Sequence, residues 1–221
     1  MAGASGLVGR EILQRLSADK RCKTVHCVGR RPLPADQLKG LTKVRQHMVD
    51  FARPDSFPAL AGVDEVYIAL GTTIAQAGSQ AAFRFVDFDA VMAVAQAGIR
   101  YGATKLGVVS AMGADSSSRI FYNRVKGDME QAVQQLGYTS VVIVRPSFLA
   151  GARETTGQAA RRGEKLALAG MRLLAPLIPA NYRAVQVSDV AQGLISQVQR
   201  GQPGLQVLLS GALQPGAQAR G

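Results

Sequence analysis

Three glycines stand at the head of the chain, in Gly3-Ala4-Ser5-Gly6-Leu7-Val8-Gly9, and a helical apolar pattern begins directly behind them. Gly3 suits a tight turn, Gly6 lets a ligand approach the backbone, and Gly9 lets a helix pack closely on a strand. A helix starting there aims its free N–H groups and positive dipole end at the same point, where a diphosphate can be held. Gly3, Ser5, Gly6, Leu7, Val8 and Gly9 are therefore candidate dinucleotide-binding residues. The motif should follow a buried strand of about five residues, yet only Met1 and Ala2 precede Gly3. The first strand is expected to be truncated or very short, with its remainder upstream of Met1.

Behind this turn, strand and helix patterns alternate. Helix is predicted over about 7–17, 55–60, 81–101, 118–136 and 188–200. Strands are predicted over 24–28, 44–49, 65–70, 106–110, 139–144, 185–187 and 206–209, with Ser188 or Asp189 capping the last helix. Apolar strands alternating with helices predict an α/β fold, a doubly wound parallel sheet of the Rossmann kind covered on both faces. The expected organisation is a nucleotide-binding core over 1–150, a small substrate cap over 151–183, a return to the core over 184–212 and a disordered tail over 213–221.

Apolar residues make up 47% of the 221, ample for one such core. No apolar run reaches the roughly 18 residues of a membrane-spanning helix, and the N-terminus does not read as a signal peptide. Cys22 and Cys27 lack metal-site or redox spacing. Cys27, His26 and His47 fall in strand-like stretches and read as structural residues; no metal site is expected. The chain reads as a reduced, cytoplasmic protein.

The net charge of +11 is concentrated. Residues 1–50 hold ten Lys/Arg against four Asp/Glu, and residues 145–183 hold seven against two. Neither zone interleaves aromatic with basic residues or carries a zinc-finger or recognition-helix pattern, so nucleic acid is not the expected partner. An anionic cofactor and an anionic small-molecule substrate account for both zones. In the cap, Arg153 and Arg183 are candidate substrate residues. Its basic, apolar stretch would also suit an anionic membrane surface or a homodimer contact, but packing on its own domain is the favoured reading.

Chemistry-bearing residues fall where predicted strands end, the edge at which open α/β sheets bind ligands. Arg30 and Arg31 follow the strand whose end, in an NAD site, carries an acidic residue for the ribose 2′-OH; two arginines suit the 2′-phosphate of NADP(H) instead. Asp50 and Phe51 can reach the adenine. Leu70, Gly71, Thr72 and Thr73 can lie along the ribose and diphosphate. Tyr122 and Lys126, four residues apart on one helix face, can form a general acid/base in which the ammonium lowers the phenol pKa. Ser110 can hydrogen-bond the reacting oxygen.

In order along the chain, G-A-S-G-L-V-G, V-G-R-R, V-D-F, A-L-G-T-T, F-V-D-F-D, V-V-S-A-M-G-A-D, F-Y-N-R-V-K-G-D-M-E, V-R-P-S and V-S-D-V-A resemble the short-chain dehydrogenase/reductase superfamily. The likeness is to its atypical branch, which includes the Tat-interacting-protein (CC3) oxidoreductase-like proteins. The resemblance implies an NADP(H)-binding Rossmann fold with roles for Ser110, Tyr122 and Lys126. It also implies that Lys126 holds the nicotinamide ribose and that Arg145, Pro146 and Ser147 pass beside the nicotinamide. The expected function is an NADP(H)-dependent oxidoreductase of a small carbonyl or hydroxyl compound. The alternatives are a non-catalytic NADPH-binding sensor or scaffold, and a nucleotide-sugar epimerase or dehydratase. Where the superfamily often pairs two serines and uses the second, this chain has Ser110-Ala111.

Overall fold

The structure is a computed structural model of the chain and describes residues 1–60, 62–150 and 179–214. Two parallel half-sheets run side by side. One pairs β1 (Val25–Gly29) with β2 (Val44–Met48); the other has the order β3 (Glu65–Ile68), β4 (Lys105–Val109), β5 (Ser140–Arg145) and the last strand, Gly204–Leu209. Ala2 lies between the halves and makes parallel bridges to Val28 on one side and Ile68 on the other. Ala2 stands where the first strand is expected. It receives a hydrogen bond from Ala69 N (3.0 Å) and donates one to Tyr67 O (2.9 Å), while Val28 N donates to Met1 O (2.9 Å).

Helices cover both faces because the strands present apolar side chains to both. On one face, α1 (Leu7–Ala18) places Val8, Ile12, Leu13 and Leu16 in a core shared with Val25, Cys27, Val142 and Val144. The long C-terminal helix Val187–Arg200 adds Val190, Leu194 and Val198 to that core. On the other face, the helix Ala90–Arg100 and the helix Phe121–Gln134 pack Val91, Val94, Met129 and Val133 against Val66, Ile68, Leu106 and Ile143.

The predicted continuous helix over 81–101 is divided. A short α-helix, Gln80–Arg84, capped by the Ser79 hydroxyl, runs into a π-helical turn, Phe85–Asp89, before Ala90–Arg100 begins. The turn swings Asp87 into the interior, where it is fully buried. The helix predicted over 55–60 is only a 3₁₀ turn, Pro54–Ser56. The last long helix begins at Val187 with Gln186 at its N-cap and no side-chain cap, so neither Ser188 nor Asp189 serves as one; the Ser188 hydroxyl donates to Asp189 instead. Leu213, assigned by sequence to the tail, is fully buried in the α1 core. Most of the predicted cap and the tail from 215 lie outside the described residues.

Gly127 shows how closely the helix Phe121–Gln134 is seated. A Cβ there would stand 2.1 Å from Ser116 N, a backbone atom that cannot swing aside. Gly127→Ala should therefore destabilise the protein by about 1–3 kcal/mol, measured by urea unfolding, through overpacking.

Candidate functional site

The glycine turn is compact for steric reasons. Gly3 has φ +86°, and a Cβ on it would meet Ala69 O at 2.3 Å; a Cβ on Gly9 would meet Gly3 O at 1.9 Å. Gly6 N donates to Gly3 O at 3.0 Å, closing the turn, and Gly6 itself is exposed. Helix α1 then starts with no side-chain cap and no acidic residue in its first turn. Its first N–H groups and dipole end are thus available to an anion. Val8 and Gly9 are buried, so only their backbone can serve a ligand. A further clamp comes from Gln37, which the sequence reading missed: its buried side-chain amide donates to Ala4 O at 2.6 Å. It lies on a four-residue helix, Ala35–Leu38, inside a stretch that proline punctuation marks as loop.

A cavity of about 380 Å³ opens beside this turn. Gly3, Ser5, Arg30, Arg31, Phe51 and Leu70 all line it, as do His47 and Phe85, which the sequence reading had not included. Its volume falls within the range of small-molecule sites, and its two arginines sit at the end of β1. Asp50 is exposed, and its carboxylate accepts from Ala52 N (3.0 Å) rather than lining the cavity. Phe51 and Phe57 pack at 6.2 Å between ring centroids.

The segment after β3 joins this cavity to a second group of residues. Leu70 is in the cavity wall. The next residue, Gly71, lies so near Asp87 and Lys126 that a Cβ on it would come within 3.6 Å of Asp87 Oδ1 and 3.9 Å of Lys126 Nζ. Thr72 N donates to Asp87 Oδ2 at 2.9 Å. Lys126 Nζ is 2.7 Å from Asp87 Oδ1, an ion pair not aligned as a hydrogen bond, with both side chains buried. Thr73 turns its hydroxyl to cap the helix Ile74–Ala77. Asp87 is thus a site residue that the sequence concealed: it sits in an apolar helical pattern, and only the π-helical turn brings it to Lys126.

Tyr122 lies one turn before Lys126, half-buried, with its ring 5.3 Å from that of Phe83. The expected lowering of its pKa is not observed. Burial, and next the Asp87 charge, push the Tyr122 phenol above its ordinary value. The burial follows from packing against Phe83, and the Asp87 carboxylate opposes a second negative charge.

The Ser110 hydroxyl is bonded to Glu130 rather than to Tyr122. Ser110 continues the alternation by which Leu106 and Val108 face the helix-covered core, so its hydroxyl reaches Glu130, donating to Oε1 at 2.5 Å. Glu130 lies eight residues beyond Tyr122, about 12 Å along the helix axis. Arg145 joins the same carboxylate, with Nη2 2.5 Å from Oε2 and Nε 3.0 Å from Oε1. Glu130 in turn holds the guanidinium above its ordinary pKa. Pro146 is buried, and its carbonyl accepts from Met112 N (3.0 Å). Ser147 Oγ donates to the backbone carbonyl of half-buried Arg183 (2.6 Å). Arg153 lies outside the described residues. Among those described, no cluster of His, Cys, Asp and Glu could hold a metal.

The ion pair carries a direct test. Removing one partner leaves an uncompensated buried charge, which costs about 3–5 kcal/mol. Asp87→Asn should lose stability on that scale in urea unfolding, and adding Lys126→Met should recover more than half of the loss.

Comparison with known proteins agrees with this geometry. Residues 3–200 match the family described as NAD(P)H-binding. Protein HTATIP2 of Rattus norvegicus is 32% identical over 197 residues, 89% of this chain and 78% of the relative. Protein FMP52, mitochondrial, of Eremothecium gossypii is 37% identical over 155 residues, 70% of this chain and 67% of the relative. Among solved structures, a UDP-glucose 4-epimerase from Thermotoga maritima superposes with TM-score 0.65 at 15% identity, over 95% of this chain and 76% of its own. A short-chain type dehydrogenase/reductase from Mycobacterium ulcerans gives 0.63 at 17%, over 96% and 88%. At such identities these two speak for the fold alone. The expected cytoplasmic location is overturned, because the FMP52 relatives are named as mitochondrial. The glycine turn, the parallel sheet it opens and the matched family and relatives lead to one conclusion: the chain belongs to the NAD(P)H-binding family, in the atypical branch of the short-chain dehydrogenase/reductase superfamily.

Proposed function

We propose that the protein is an NADP(H)-dependent oxidoreductase that reduces a small carbonyl compound, with Tyr122 as the proton donor. The observation that carries this reading is the path along Leu70–Thr72, from the arginine-bearing cavity to Lys126 in successive residues. A dinucleotide laid along that path would have its adenosine half beside Arg30 and Arg31 and its diphosphate at the start of α1. The ribose of its other half would come to Lys126. The residues fit the group: an uncapped helix start without acidic residues, a glycine turn with no room for a Cβ at Gly3 or Gly9, and cationic side chains at the cavity rim.

When bound, the nicotinamide supplies a hydride. The chain's own part is to place the substrate oxygen against Tyr122 and to give it a proton. A phenol held above its ordinary pKa is protonated at neutral pH. It is therefore ready to donate as an alkoxide develops, and solvent restores its proton afterwards. Asp87 keeps Lys126 in place through the ion pair and keeps Tyr122 in its neutral form. Ser110 has no part in this scheme, since its proton is committed to Glu130.

That commitment favours a second reading, a cofactor-binding sensor without turnover, because the expected oxygen-holding hydroxyl is bonded to Glu130 instead. A panel of aldehydes, ketones and sugar nucleotides with NADPH separates the two. Turnover that falls roughly 10²–10⁴-fold in Tyr122→Phe, with NADPH affinity unchanged, supports the enzyme. NADPH binding without any turnover supports the sensor.

The preference for NADP(H) has its own test. Arg30→Ala with Arg31→Ala should weaken NADPH at least about tenfold, the scale of losing a charge-assisted hydrogen bond, and NADH by less than about threefold. Fluorescence titration measures both, and equal losses would remove the 2′-phosphate argument.

A further inference from the structure

We infer that the His26–His47 pair is a proton-accepting third cation of the 2′-phosphate subsite, so that NADPH binding draws a proton onto the chain. This rests on reading the cavity as the adenosine site. The two imidazoles occupy adjacent strands on one face of the sheet, where β1 and β2 run in register with His26 opposite Arg45 and Val28 opposite His47. His26 Nδ1 stands 2.9 Å from His47 Nε2, and the rings stack with centroids 5.1 Å apart at 28°. Such a contact needs a hydrogen on one nitrogen and a lone pair on the other, so at most one ring of the pair is charged. His47 lines the same cavity as Arg30 and Arg31, and His26 meets its Nε2 from the neighbouring strand.

The surroundings keep the pair neutral until an anion arrives. Arg45 on β2 and the partner ring bear on His26. Arg30 and Arg31 stand at the cavity rim, and Phe85, Val86 and Ala90 line it without charge. Asp50, the carboxylate that follows β2, is turned onto Ala52 N. Burial holds both imidazoles below their ordinary pKa, and at His26 the His47 and Arg45 charges act in the same sense.

A dianionic phosphate in the cavity would supply the absent counter-charge. Its field raises the proton affinity of His47, and the proton comes from solvent. A protonated His47 still donates Nε2–H to His26 Nδ1, while its Nδ1 changes from acceptor to donor. His26 is then a positioning residue that accepts that bond and fixes the ring. The sign follows: a group whose pKa rises on binding takes up protons, and affinity grows as pH falls toward the raised value. The phosphate of free NADPH, which titrates near pH 6, acts in the opposite sense. His47→Asn is therefore the reference at every pH.

Isothermal titration of the full chain with NADPH and with NADH, at pH 7 in two buffers of different ionisation enthalpy, measures the proton directly. The wild type should take up roughly half a proton with NADPH and essentially none with NADH. His47→Asn should take up none, and His26→Asn should reduce the uptake, with thermal melts reporting that both variants fold. Between pH 8 and pH 6.5, the wild type should gain roughly three- to tenfold in NADPH affinity relative to His47→Asn. Tight NADPH binding that responds to Arg30→Ala and Arg31→Ala, but with the same proton uptake in wild type and His47→Asn, overturns this inference alone. Failure of the wild type to bind NADPH overturns it together with the reading of the cavity.

Discussion

Everything at the ligand-binding edge depends on how two half-sheets meet at Ala2. Val28 N donates to Met1 O, Ala2 N donates to Tyr67 O, and Ala69 N donates to Ala2 O. These bonds carry hydrogen-bonded continuity from β1 to β3. They also set the distance between Arg30 and Arg31, which follow β1, and Leu70 to Thr72, which follow β3. The glycine turn begins at the very next residue. Gly3 therefore has to turn sharply within van der Waals reach of Ala69, and the lack of a Cβ is what permits it.

The second organising element is electrostatic. Asp87 and Lys126 form a buried ion pair between two segments distant in sequence, and Thr72 N ties the ligand-facing loop to the same carboxylate. Pairing of this kind is a weak source of net stability, because desolvation offsets much of the attraction. Its value here is positional. Three backbone segments are referred to one carboxyl group, and the phenol one helical turn away responds to that group's charge. A neighbouring cluster, Ser110 with Glu130 and Arg145, fastens the ends of β4 and β5 to the same helix.

The alternation of apolar strands with helical stripes made the parallel α/β class legible, and the spacing of Gly3, Gly6 and Gly9 located the turn. Strand bounds differ from expectation by one or two residues, as ladder ends usually do. The places of Arg30, Arg31, Phe51 and Leu70 at the cavity could be read because each follows a strand. Asp87 could not, since the first aspartate of Phe-Val-Asp-Phe-Asp fits an amphipathic helix as an exposed residue. Ser110 misled for the opposite reason. Its place after a strand fits a functional hydroxyl, and only strand parity together with Glu130, twenty residues later, shows where the hydroxyl points. The tyrosine's acidity was not legible because its burial against Phe83 and the Asp87 charge beside it arise only in the folded chain.

The π-helical turn at Phe85–Asp89 has a consequence for the chain's tolerance of change. An α-helix advances about 100° per residue, and the wider turn accommodates one residue more than regular winding would. Gln80–Arg84 and Ala90–Arg100 are therefore out of phase: Phe83 is keyed to the Tyr122 ring, and Val91 and Val94 are keyed to the sheet. Loss of a single residue there would restore ideal winding, yet it would rotate one of the two segments off its partner. The helix is thus constrained in length as well as in composition, by the requirement that one continuous rod meet two differently oriented surfaces.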